Sequence, residues 1–95
     1  MPTATPAVSL ISIAELDATE FLSDGCAALT NWRWCDDHAT FAHREAAEFL
    51  IWVGQEADTW PLFVRQLQDY GCSDAFVAAL SAAHDAGVRY ALLYS

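Results

Sequence analysis

The chain has 95 residues, a mass of 10.4 kDa, 55% hydrophobic residues and only 18% charged ones, a composition that argues against intrinsic disorder and leaves room for one core and no second domain. Thirteen acidic residues stand against four arginines, with no lysine, for a formal net charge of −9 and a pI near 4.3, which disfavours direct contact with nucleic-acid phosphates. Every apolar run falls far short of the ~20 residues that a membrane-spanning helix needs, so no membrane partner is expected.

Residues 1–8 hold two of the three prolines among small polar residues and read as a frayed tail. They include neither a basic region nor a long apolar stretch, so they are not read as a secretory signal, and the expected location is the cytoplasm. Ser9 to Ile13 reads as a short strand or as the lead-in to a helix. From Asp17, the residues Ala18, Phe21, Leu22, Gly25, Cys26 and Leu29 recur at helical spacing, with Asp17, Glu20 and Asp24 on the other side. The spacing predicts a helix to about Thr30, with Asp17 and Glu20 as an acidic variant of the capping box. Gly25 is then either a break or a close helix contact.

Asn31 to Asp37 reads as a connection in which Asp36 or Asp37 caps a second helix. The stripe of that helix is Ala42, Ala46, Phe49, Leu50 and Val53, with Arg44, Glu45 and Glu48 outward and Gly54 as the stop. A third helix opens at Trp60-Pro61, carries Phe63, Val64, Leu67 and Tyr70 inward, and stops at Gly71. Ser73 caps a fourth, with Phe76, Val77, Leu80 and Ala83 inward and Gly87 as its end. Val88 to Tyr94 is β-branched and aromatic enough for a strand that could pair with Ser9 to Ile13. The expected fold is therefore mainly α: a tail over 1–8, then a single compact four-helix domain over 9–95, which the terminal segments could close with a short two-stranded β ribbon.

No nucleophile elbow or glycine-rich phosphate cradle is present, so no catalytic residue, cofactor or metal is expected. The three cysteines are an odd number without a secretion signal, and read as reduced, mostly buried thiols. Trp32-Arg33-Trp34 joins the residue types that dominate interface energetics. In the alternative, one tryptophan enters the core while the other lies across the surface beneath Arg33. The acidic residues form two groups, Asp17/Glu20/Asp24 and Asp36/Asp37/Glu45/Glu48. Helix capping and solubility account for part of them, but four arginines cannot neutralise thirteen acids, so a partner with a basic surface is expected. Carboxylates on one helix fall about 4.5–6 Å apart, sparser than the ~3.4 Å of a DNA strand, so the expectation is general charge complementarity and not strict DNA mimicry.

A small, lysine-free, acidic chain carrying these two groups resembles the small inhibitors made by phages and mobile elements, the anti-CRISPR proteins in particular. The resemblance lies in size, acidity and helical character across the chain, not in a motif, and it carries over no residue role. It implies a stoichiometric inhibitor that occupies a basic surface of a nucleic-acid-handling complex. The partner-binding residues read from the sequence are Asp36, Asp37, Glu45, Glu48, Trp32, Arg33 and Trp34, with Asp17, Glu20 and Asp24 beside them. Two other readings stay open. One is a metal- or thiol-dependent regulator built on Cys35 and His38 with Cys26, Cys72 or His43; the other is a homo-oligomeric module packing through Trp52, Trp60, Tyr90 and Tyr94.

Overall fold

The computed structural model describes residues 11–23, 25–43 and 48–94, without the side chains of Glu20, Ser23 and residues 25–28. The tail read over 1–8, Asp24 and Glu45 lie outside the described residues. In chain order the elements are β1 (Ile13–Asp17), α1 (Thr19–Ser23), α2 (Gly25–His38), β2 (Phe41–His43), β3 (Glu48–Trp52), α3 (Trp60–Tyr70), α4 (Asp74–Asp85) and β4 (Tyr90–Tyr94). The strands form one mixed sheet in the order β1-β4-β3-β2. β4 runs parallel to β1, from Ile13 opposite Tyr90 to Asp17 opposite Tyr94, and antiparallel to β3, which pairs antiparallel with β2.

The fold is α+β, which overturns the expected four-helix, mainly α domain. The error lies in residues 36–54. Phe49, Ile51 and Val53 are buried while Glu48 and Trp52 are exposed, the period-2 alternation of a strand with one face in the core. A short apolar run with Ala and Glu before it satisfies a helical stripe as well as a strand, and periodicity alone does not separate them. The neighbouring strand decides: β3 binds along β4, where Ile51 sits opposite Ala91 and Phe49 opposite Leu93. Gly54 is accordingly no helix stop. A Cβ there would come within 2.8 Å of Trp52 Nε1 and 3.3 Å of Arg89 Cα, so glycine permits a close approach to the chain entering β4.

The terminal segments do pair, but in parallel and within the larger sheet, and from Ile13 onward. Residues 31–37, read as a connection, form the C-terminal half of α2. Asn31 is buried there and hydrogen-bonded throughout. Its Nδ2 donates to Phe21 O (3.1 Å) and Ser73 Oγ (3.0 Å), and its Oδ1 accepts from Ser73 N (3.1 Å). One side chain thus ties α1 and α2 to the start of α4.

The later elements follow the sequence reading except at Tyr70, which is expected inward and is 38% exposed, its hydroxyl bonded to Asp37. α3 has Pro61 in its first turn and ends in a Schellman motif: Gly71, at φ 102°, donates to Gln68 O, and Cys72 N donates to Leu67 O. Ser73 Oγ accepts from Phe76 N at the start of α4, whose buried residues are the expected Phe76, Val77, Leu80 and Ala83. The core lies between these helices and one face of the sheet. Ala91 and Leu93 of β4 join Phe49 and Ile51, and Trp34 packs edge-on against Phe63 and Phe76.

Candidate functional site

With the helices on one face of the sheet, the alternate residues of every strand point the other way, and these are largely exposed. Across the strands they form three rows: Ile13, Tyr90 and Trp52; then Glu15, Leu92, Leu50 and Phe41; then Asp17, Tyr94, Glu48 and His43. Phe41 is 64% exposed, Ile13 50%, Trp52 47% and Tyr94 39%. Large apolar side chains grouped on one face differ from apolar residues scattered singly over a surface. Three carboxylates, Glu15, Asp17 and Glu48, are interleaved with them, and no described position of the face is an arginine. Glu15, Glu48, Leu92 and Tyr94 line a shallow depression of about 350 Å³.

At the edge of this face Asp17 is held ionised. Thr19 donates to Asp17 Oδ1 from its hydroxyl (2.7 Å) and its backbone N–H (3.1 Å), and these bonds place its carboxyl below the ordinary value. The expected helix cap is therefore a turn at the end of β1, and the carboxylate remains exposed.

The structure separates the other residues chosen from the sequence. Trp34 is buried in the core, and Trp32 is half-buried with its ring edge-on to Phe49 at 5.2 Å. Neither is a free anchor. Arg33 is exposed on α2, and Asp36 is half-buried. Asp37 is exposed and accepts the Tyr70 hydroxyl at 3.0 Å, which raises the Tyr70 pKa. The side chain of Glu20 lies outside the described part of α1. Of the ten residues, Asp17 and Glu48 reach the open sheet face; Glu15, Phe41 and Tyr94 join them there although the acidic and Trp-Arg-Trp motifs did not point to them.

The remaining chemistry is sparse. Cys35 and Cys72 are buried free thiols; burial raises both pKa values, that of Cys72 to about 11, so neither is a ready thiolate. Among the described residues no group of three His, Cys, Asp or Glu could hold a metal ion, so Cys35, His38, Cys72 and His43 do not assemble a centre. Among the same residues no helix is long and apolar enough to cross a membrane. His84 stacks on Trp60 at 4.1 Å, with Nδ1 donating to Val53 O, which commits that ring to packing. Compared with protein-family models, curated proteins and solved structures, the chain matches none.

Proposed function

We propose that this chain is a non-enzymatic binding protein that occupies, by stoichiometric contact through the open face of its sheet, a basic surface of a nucleic-acid-handling complex. The observation that carries the reading is the composition of that face: Glu15, Asp17 and Glu48 interleaved with Phe41, Trp52 and Tyr94. Surfaces that hold single-stranded nucleic acid combine positive charge for phosphates with apolar and aromatic groups for bases. A face of carboxylates and rings addresses both halves of such a surface. The net charge of −9 adds attraction effective over a Debye length of about 8–10 Å. The size and acidity that the chain shares with phage-encoded inhibitors agree with this reading.

A second reading has its own observation: Trp52, Tyr90 and Tyr94 lie on this one face, as a homodimer would require, although Trp60 is buried. Pairing two such faces would set Glu15, Asp17 and Glu48 against their own copies, which costs energy. The heterologous partner is therefore favoured.

The test is a pull-down from a bacterial lysate at low and high salt, using the wild type, a face variant (Glu15→Lys with Glu48→Lys) and a control with the same charge change elsewhere (Asp58→Lys with Asp69→Lys). The expected result is a basic nucleic-acid-binding complex that salt releases, DNA or RNA displaces, the control retains and the face variant loses. Unchanged capture by the face variant would refute the assignment, as would a dimer by light scattering that these reversals tighten or leave intact.

A further inference from the structure

The strand order β1-β4-β3-β2 leaves two edges to the sheet. β2 is only three residues long, whereas β1 spans five, Ile13–Asp17, and contains no proline, glycine or basic residue. Short length, proline and lysine are common means of keeping an edge strand from pairing with another chain, and β1 uses none of them; its only charges are the carboxylates of Glu15 and Asp17.

The hydrogen bonds that bracket β1 fix which of its backbone groups are committed. Tyr90 N donates to Ser12 O at 3.2 Å, and Ala18 N donates to Tyr94 O at 2.6 Å. Along a parallel strand, alternate residues turn their backbone groups toward one neighbour. Ala14 and Leu16 therefore face β4 together with Ser12 and Ala18, and the N–H and C=O groups of Ile13, Glu15 and Asp17 point away from it. Among the described residues no strand lies on that side. The inner row is open at the same border: Ala14 and Leu16 are half-buried, whereas Ala91, Leu93, Phe49 and Ile51 on the central strands are at most 1% exposed.

We propose that β1 receives, along this free edge, an extended strand of the partner protein in which basic residues alternate with apolar ones. The basic character rests on the function proposed above; the strand geometry rests on β1 itself. Side chains of the added strand on the open face would stand beside Glu15 and Asp17, where opposite charge is favoured, and those on the inner face would continue the row of Ala14 and Leu16. Backbone bonds to Ile13, Glu15 and Asp17 supply affinity, and the alternation supplies specificity. A second copy of β1 fits less well, because antiparallel pairing centred on Glu15 sets that carboxylate against its own copy.

The probe is a capped hexapeptide alternating arginine with valine, added to the full chain while amide hydrogen exchange is followed by NMR. With the peptide at ten times its Kd, the amides of Ile13, Glu15 and Asp17 should exchange about tenfold more slowly, and those of Ala14 and Leu16, already bonded to β4, should change little. Methylating the peptide amides at the arginines or at the valines separates edge from face: one form should bind about tenfold more weakly and the other, with its methyl groups turned away from β1, should bind as before. Ile13→Pro removes an outward N–H that β4 does not use, and should weaken the peptide to a similar degree; the methylated peptides serve should that variant fail to fold. Equal effects of the two methylations, or protection of the three amides before any peptide is added, overturns the proposal. Shifts confined to Phe41, Trp52 and Tyr94 would also overturn it while leaving the face reading in place. Protection along β1 by the peptide would sustain it even if the lysate yields no basic complex.

Discussion

Asn31 and Tyr70 are two polar side chains whose partners decide what they contribute. Replacing Asn31 with Ala strips the partner from the Ser73 N–H in a part-buried setting and removes two further bonds between elements. The expected loss is about 2–4 kcal/mol, read from urea unfolding. Tyr70 donates to Asp37, so its pKa is raised in the folded state, first by that hydrogen bond. The stabilisation it contributes is fully present below the ordinary tyrosine value of about 10 and is lost as pH rises through the higher folded value. In Asp37→Ala the Tyr70 ionisation, followed by ultraviolet absorbance, should move back down. Asp17 behaves in the opposite sense. Its lowered pKa makes its contribution complete above the ordinary carboxylate range and lost as pH falls through the folded value, so this edge of the open face keeps its charge in mild acid.

At the scale of elements, what was legible depended on whether a segment carries its own punctuation. α3 and α4 could be read because Pro61, Gly71, Ser73 and Gly87 mark their limits and each has one apolar stripe. The Gly71 cap makes a direct test: at φ 102° an Ala side chain is strained, although the nearest atom to its Cβ, Thr30 Cγ2, stands at an ordinary 3.5 Å. Gly71→Ala should cost about 1 kcal/mol from the backbone alone, a drop of about 5 °C in Tm for a domain of this size. The hairpin of β2 and β3 carries no such marks. Its identity comes from β4, some forty residues later, and no local pattern contains that information. The site inherited the error: while residues 36–54 were read as a helix, Glu48 grouped with Asp36 and Glu45, and the alternation that sets Glu48 beside Tyr94 was hidden. The Trp-Arg-Trp triplet left two readings open for a related reason, since it looks alike on a free loop and within a helix whose inner face receives one of its rings; Trp34 follows the alternative in which one tryptophan enters the core.

At the scale of the whole molecule, charge and topology act in different directions. The net charge of −9 opposes compaction and self-association, so added salt should raise Tm modestly, whereas capture of the basic partner proposed above should weaken with salt. A differential scanning experiment between low and moderate salt checks the first half of that contrast. Shape is set by the sheet: helices on one side leave the other face open, and side chains held on paired strands limit the ordering cost of binding.

The parallel pairing of β1 with β4 also has a consequence for how the protein is made. β1 is the first described element to leave the ribosome and β4 the last, and β4 lies between β1 and β3. Until β4 emerges, β1 has no other described strand beside it and β3 only the short β2, so the sheet cannot assemble before β4 has left the ribosome. Contacts between residues this distant in sequence close slowly, and the waiting chain exposes unpaired strand edges that invite aggregation. A nascent chain halted before Tyr90 should be cleaved by protease throughout, whereas one whose β4 has cleared the exit tunnel should gain protection in a single step.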